Sequence, residues 1–102
     1  MIRISFSGIE MSDWESEQLR DSLTPILERF SGVDNASLIT TWTDSRYEST
    51  LKVKTTNGAF SAYAAGSSPL SSGLQAVYRA SDLVESLQTI SNRGGGVHVH
   101  FN

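Results

Sequence analysis

The segment from Ser49 to Gly66, STLKVKTTNGAFSAYAAG, constrains the fold of this chain more than any other. Leu51 and Val53 alternate with lysines, and after a short polar break Phe60 starts a second alternation with small residues. The break contains an Asn-Gly pair, which suits the positive φ angles of a tight hairpin turn. Period-two alternation on both sides of a turn predicts a β-hairpin with one apolar and one polar face.

A strand and a helix are predicted before the hairpin. Residues 2–7 alternate between apolar and polar side chains, which indicates a first strand ended by Gly8. Ser12 and Glu15 have the S-x-x-E spacing of a capping box, in which each side chain binds the backbone N–H of the other residue. Apolar residues then recur at spacings of three and four, as on a buried helix face: Leu19, Leu23, Ile26, Leu27 and Phe30. Pro25 inside this helix predicts a kink, and Gly32 suits its end.

A second strand is predicted over residues 36–43, ASLITTWT, because Thr, Ile and Trp favour the pleated surface. Its register stays open: either Leu38, Thr40 and Trp42 face the core, or Ile39 and its alternating neighbours do. The residues Asp44 to Arg46 are expected to turn the chain into the hairpin.

A second helix and a tail strand are predicted after the hairpin. The segment SSPLSSG is interpreted as a loop, with Ser71 or Ser72 capping a helix that ends near Asn92. The tail VHVHF alternates again and is interpreted as an added edge strand. The order is thus β-α-β-β-β-α. This is an α+β fold with a four-stranded sheet, two helices on one face and an extra C-terminal strand. We expect one α+β domain over residues 1–93 and a Gly-rich hinge with the tail strand over residues 94–102.

Composition narrows the function classes. With 102 residues the chain is long enough for one core, and its net charge of −3 opposes bulk electrostatic binding of nucleic acid. The chain has no cysteine, which excludes disulfides, thiol catalysis and cysteine metal sites and fits a cytoplasmic location. No apolar run is long enough for a membrane span. The segment MIRISF lacks the basic region followed by an apolar stretch that is typical of a signal peptide. No membrane partner is expected.

Four segments of the chain together resemble the ribosome hibernation-promoting factors, also called ribosomal subunit interface proteins. These segments are MIRISFSG, PILERFSGVDNASLITTW, STLKVKTTNGAFSAYAAG and LQAVYRASDLVESL. The resemblance covers roughly Ile2 to Leu87. It implies a four-stranded sheet with two helices on one face. It also implies a translation inhibitor of resting, stressed cells that binds ribosomal RNA of the small subunit near the decoding and messenger channel.

The chain departs from that family in its charge. The family carries helices rich in lysine and arginine, whereas the first helix here has only Arg20 and Arg29 against five acidic residues. The second helix has Arg79, with Arg93 just beyond. The family's basic tail is replaced by GGGVHVHFN. The fold is therefore expected to be kept while the RNA contact is altered or lost.

A small RNA-binding platform is predicted on the polar side of the strands. Arg3, Lys52 and Lys54 fall on that side, and Tyr63 is expected to share it, so that cations meet phosphates while the ring stacks on a base. Arg46 and Arg79 are expected to extend this patch. The alternative is an ordinary solvated sheet face whose lysines prevent edge aggregation.

No catalytic or metal site is predicted. His98 and His100 would point to one side of a strand, but the spacing supplies no third ligand. The serines lie in no nucleophile motif or P-loop, so we expect neither an enzyme nor a cofactor.

Three functions remain open. The first is a hibernation-like inhibitor bound to the small ribosomal subunit. The second is a regulatory or immunity-type module whose acidic first helix meets a basic protein, without RNA binding. The third is a structural unit that forms a homodimer through the C-terminal tail strand.

Overall fold

A mixed β-sheet covered by two helices forms the structure, a computed structural model that describes residues 2–30, 32–56 and 58–92, with side chains up to residue 83. In chain order its elements are β1 (Arg3–Gly8), α1 (Asp13–Glu28), β2 (Val33–Thr43), β3 (Arg46–Thr55), β4 (Gly58–Gly66) and α2 (Pro69–Asn92). The predicted order β-α-β-β-β-α and the α+β class are confirmed. The predicted C-terminal strand lies outside the described residues.

The four described strands lie in the order β1-β2-β3-β4, with β1 parallel to β2 and the other pairs antiparallel. The open question of register is resolved, because Leu38 and Thr40 face the helices and are buried. Trp42 has the same parity but is 53% exposed, since it lies beyond the core and packs edge-on against Tyr47 at 4.7 Å between ring centroids. The strand also begins three residues earlier than predicted, at Val33.

The predicted capping box begins α1. The Ser12 Oγ accepts a hydrogen bond from the N–H of Glu15 at 3.2 Å, and the Glu15 carboxylate accepts one from the N–H of Ser12 at 3.1 Å. The helix continues through Pro25 to Glu28, so the proline lies within its last turns. Near the proline, the hydroxyl of Thr24 donates to the carbonyl of Arg20 at 2.8 Å. Four of the five predicted side chains are buried on α1: Leu19, Leu23, Ile26 and Leu27. The fifth, Phe30, follows the end of the helix and is half-buried.

The prediction of a loop over SSPLSSG was wrong, because α2 already begins at Pro69. Ser68, and not Ser71 or Ser72, is the cap: its hydroxyl accepts from the N–H of Ser71 at 3.0 Å. Proline suits the first position of a helix, where the N–H it lacks would have had no partner. Gly66 lets this turn approach the sheet, since a Cβ there would lie 2.7 Å from the N of Ser72.

The core lies between the helices and one face of the sheet. It unites the buried face of α1 with Ala76, Val77 and Ala80 of α2. The strands contribute residues of a single parity: Ala36, Leu38, Leu51, Val53, Phe60, Ala62 and Ala64. The other face of the sheet carries no helix in the described part of the chain. We call it the open face.

Three buried hydroxyl groups form a chain beneath the start of α2. The Oγ1 of Thr40 is 2.8 Å from the Oγ of Ser49, which is 2.7 Å from the Oγ of Ser72. Ser72 in turn donates to the carbonyl of Pro69 at 3.1 Å. Because a carbonyl can only accept, each hydroxyl proton must point the same way: Thr40 donates to Ser49, and Ser49 to Ser72. All three residues are fully buried.

None of the described helices is both long and apolar enough to cross a membrane. The proposed hinge and tail over residues 94–102, with His98 and His100, lie outside the described residues.

Candidate nucleic-acid interface

The open face presents its side chains in rows that run across the strands. One row joins Arg3, Asn35, Lys54 and Ala59, each paired with the next across neighbouring strands. The next row joins Ser5, Ser37, Lys52 and Ser61. A third row ends in Tyr63, opposite Thr50 of β3. The structure therefore brings Arg3, Lys52, Lys54 and Tyr63 onto one face, as their strand parities predict.

The two lysines border a shallow depression of about 450 Å³ at the end of the sheet where β1 and β2 begin. Its lining contains no carboxylate and, apart from Val53, consists of polar or small residues: Asn35, Ser37, Lys52, Val53, Lys54, Thr55, Gly58 and Ala59. Both lysines are exposed, and neither forms a salt bridge within the described residues. This end of the open face can therefore offer two ammonium groups and several hydrogen-bonding groups to an anion.

Arg3 lines a separate groove of about 640 Å³ between β1 and α1. Arg20 of α1 also lines the groove, and its guanidinium lies 5.5 Å from the centre of the Phe6 ring. Glu28 lines the same groove and offsets part of the positive charge. Arg3 lies two strand spacings, about 10 Å, from Lys54 across Asn35. The three cations Arg3, Lys52 and Lys54 therefore form one basic patch, which we call the basic end.

Glu48 dominates the opposite end of the open face. Its carboxylate accepts hydrogen bonds from the hydroxyls of Thr43 and Tyr63, and the Nη2 of Arg46 lies 3.5 Å from its Oε1. The bonds from Thr43 and then Tyr63, with the nearby Arg46 charge, hold the pKa of Glu48 below its ordinary value of 4.5. The bond to Glu48 raises the pKa of Tyr63 above 10.0.

Arg46 is therefore separated from the basic end by this carboxylate, whereas Tyr63, opposite Thr50, lies between Glu48 and Lys52. Both still lie on the open face, but Arg46 is paired with Glu48, and the Tyr63 hydroxyl is bonded to it. Tyr63 keeps 39% of its surface exposed, so its ring remains accessible. Arg79 lies in the helical layer on the other side of the sheet, exposed on α2. The structure thus brings together three of the six predicted residues.

Glu48 was missed by the sequence reasoning, although a signal was present. It has the same strand parity as Lys52 and Lys54, which places it on the open face of any regular β3. Its contact with Tyr63 was not readable in the same way. That contact joins diagonal neighbours on β3 and β4, and it depends on the register of the hairpin.

Residues 2–30, 32–56 and 58–83 contain no group of three or more His, Cys, Asp or Glu side chains arranged to hold a metal ion.

Two solved structures share this fold. The N-terminal domain of protein Y from Thermus thermophilus superposes with a TM-score of 0.69 at 15% sequence identity, over 84% of this chain and 97% of that domain. A ribosomal subunit interface protein from Coxiella burnetii superposes with a TM-score of 0.62 at 14% identity, over 86% of this chain and 97% of that protein. No family model matches the sequence. No curated protein matches it either. The resemblance inferred from the sequence is thus confirmed at the level of three-dimensional structure, and the chain has the fold of protein Y and of the ribosomal subunit interface proteins.

Proposed function

We propose that this protein is a ribosome-associated, hibernation-type translation inhibitor of the cytoplasm that binds RNA of the small ribosomal subunit through the basic end of the open face. The observation that carries the proposal is that Arg3, Lys52 and Lys54 lie at the same end of the open face, where Lys52 and Lys54 border a depression without carboxylates. The shared fold supports it, because the structural neighbours include a protein named for the ribosomal subunit interface.

The geometry favours contacts to the phosphate backbone over reading of bases. Lys52 and Lys54 lie two residues apart on β3, about 7 Å along the strand, and Arg3 lies on the far side of Asn35. Ammonium and guanidinium groups bind phosphate oxygens without regard to sequence. The Tyr63 ring lies diagonally beyond Lys52 and is placed to stack on one base, while its hydroxyl is bonded to Glu48 on its other side.

The salt dependence of binding follows from the number of cations. Three phosphate contacts give a slope of about −2 to −3 in log K against log salt. Affinity for the small subunit should therefore fall about 20- to 40-fold between 50 and 200 mM salt, which co-sedimentation can measure. A protein that never co-sediments with small subunits, even at the lower salt, would refute the proposal.

Arg79 supplies a matched control for the charge. Lys54→Glu and Arg79→Glu make the same change in net charge, at exposed positions on opposite sides of the molecule. We expect Lys54→Glu to lose most of the binding, and Lys52→Glu with Lys54→Glu to abolish it. Arg79→Glu should bind nearly as the wild type does. Equal losses of affinity from Lys54→Glu and Arg79→Glu would mean that the RNA contacts another surface, or that binding depends only on the net charge of the protein.

A second candidate function is binding to a basic protein, and the exposure of Trp14 favours it. Trp14 is 61% exposed at the start of α1, beside Asp13 and one turn from Glu17. An exposed tryptophan among carboxylates suits an anchor for a basic partner. If this is the function, Trp14→Ala and Glu17→Lys should each weaken capture of the partner, while Lys54→Glu should leave it unchanged. The reverse pattern would favour RNA.

A further inference from the structure

The outer edge of β1 has no strand partner within the described part of the chain. The sheet order places β1 at one edge, where it pairs with β2 over all six of its residues without a break in register. Just beyond the strand, the N–H of Ile9 donates to the carbonyl of Thr40 in β2 at 2.7 Å. Backbone groups point alternately to the two sides of a strand, so the other odd-numbered residues of β1 also point toward β2. The N–H and C=O groups of Ile4 and Phe6 therefore point outward, toward the open edge.

The groove between β1 and α1 runs beside this edge. Six residues line it: Ile2, Arg3, Ile4, Arg20, Thr24 and Glu28. Those of α1 follow one another at intervals of four residues, so they form one row along the helix. In β-strand addition, main-chain hydrogen bonds to an open edge bind an extended peptide, and pockets beside the edge select its alternate side chains. The edge of β1 and the groove together provide both parts of such a site.

The charges of the groove favour an acidic segment. It contains two guanidinium groups and one carboxylate, so its net charge is positive. Arg20 is exposed, stands over the Phe6 ring, and has no carboxylate within salt-bridge distance among the described residues. One helical turn further on, Thr24 is half-buried, and its hydroxyl already donates to a backbone carbonyl. The groove therefore offers a cation beside Phe6 and a less polar surface beside Ile4.

We propose that this cleft binds an extended segment of another protein, which adds to the outer edge of β1 as an antiparallel strand. The segment carries an acidic residue opposite Phe6, where its carboxylate meets Arg20. Two positions later it carries an apolar residue opposite Ile4, which covers that half-buried side chain. This spacing follows from the fold, since four residues of α1 rise about 6 Å and two residues of a strand about 7 Å. The binding is independent of the RNA contact, which lies on the open face.

Fluorescence anisotropy with a labelled synthetic peptide, TTETVTST, tests the proposal on the full-length protein. We expect saturable binding, and binding about 10- to 100-fold weaker when the glutamate of the peptide is replaced by lysine. Arg20→Glu should weaken binding of the first peptide by a similar factor and strengthen binding of the second. Arg79→Glu makes the same change in net charge on α2 and should alter neither affinity. No saturable binding of the first peptide up to about 1 mM, or equal affinity for both peptides, would overturn the proposal.

Methylation of the peptide backbone separates strand addition from attraction by charge alone. In an antiparallel ladder the residue opposite Ile4 exchanges both of its hydrogen bonds with Ile4, whereas the N–H of its neighbour points away. N-methylation of the valine in the peptide should therefore weaken binding by about tenfold or more. N-methylation of the threonine before it should have little effect. Equal effects of the two methyl groups would show that the peptide does not pair with β1.

Hydrogen exchange of the β1 amides reveals any other occupant of the edge. In the free protein the amides of Ile4 and Phe6 should exchange faster than those of Ser5 and Ser7, which point toward β2. The peptide should slow exchange of Ile4 and Phe6 alone. If these two amides are already protected in the free protein, the edge is covered by the chain itself or by a second copy, and the proposal is wrong. The mass in sedimentation then distinguishes the two occupants.

Discussion

The buried hydroxyl chain makes a prediction about which of its members matters most for stability. In this hydroxyl chain Thr40 donates to Ser49, Ser49 donates to Ser72, and Ser72 donates to the carbonyl of Pro69. Of the three hydroxyl groups, only that of Thr40 accepts no hydrogen bond from another. Thr40→Val therefore removes one hydrogen bond but leaves every remaining donor with its acceptor. Ser49→Ala instead leaves the Thr40 hydroxyl buried, with no acceptor in the chain.

The magnitudes follow from this difference. One hydrogen bond contributes about 1 kcal/mol to the free energy of unfolding, and a buried donor without a partner costs about 1 to 3 kcal/mol. Ser49→Ala should therefore destabilise the protein by about 1 to 2 kcal/mol more than Thr40→Val. For a domain of this size each kcal/mol corresponds to about 4 to 8 °C in Tm.

Urea unfolding of the two single variants and the double variant is the assay. In the Thr40→Val background no donor is left without a partner, so Ser49→Ala should cost about 1 to 2 kcal/mol less than it does in the wild type. The reasoning would be refuted if Thr40→Val were at least as destabilising as Ser49→Ala. It would also be refuted if the two changes were additive.

Three further changes have expected outcomes. Ser12→Ala removes the acceptor of the α1 cap and should lower the free energy of unfolding by about 1 kcal/mol, measured by urea unfolding; no change would contradict a role for the cap. Gly66→Ala places a Cβ against the backbone of the first turn of α2 and should cost about 1 to 3 kcal/mol, whereas Ala65→Ser beside it should have little effect on Tm. The lowered pKa of Glu48 means that its bonds stabilise the fold above pH 4.5 and that this stabilisation is lost as the pH falls below that value. The stability difference between the wild type and Glu48→Gln should therefore shrink between pH 5 and pH 3 in urea titrations, and a constant difference would contradict the assignment.

The strands and helices were largely readable from the sequence, because each segment has one dominant period. The hairpin alternates at period two on both sides of its turn, and α1 has both a capping box and a stripe of leucines. The register of β2 was not readable, because Leu38 and Ile39 are both apolar and begin competing alternations. Contacts with the helices decide between them, and those contacts depend on the whole fold.

The start of α2 was missed for a different reason. The segment SSPLSSG consists almost entirely of residues that favour turns, and this composition led to the prediction of a loop although the order of the residues also fits the start of a helix. The signal was the pair Ser68-Pro69, since serine favours the cap and proline the first helical position. At the candidate site, parity placed Lys52 and Lys54 correctly on one face. The same alternation applied to Glu48 would have predicted a carboxylate on the face that carries the two lysines.

The division of the open face has a consequence for how the protein meets a polyanion. The three cations of the basic end lie at one end of the open face, whereas at the other end Arg46 offsets the charge of Glu48, so the positive charge is concentrated at one end and gives the face a dipole directed along β3. In the field of a phosphate backbone such a dipole experiences a torque, which turns the basic end forward before any contact forms. The rotation should weaken as salt shortens the Debye length below the length of the strand. Under the proposed function, the protein would then contact the RNA surface by one end of its sheet, and the end that carries the Arg46–Glu48 pair would remain free for other contacts.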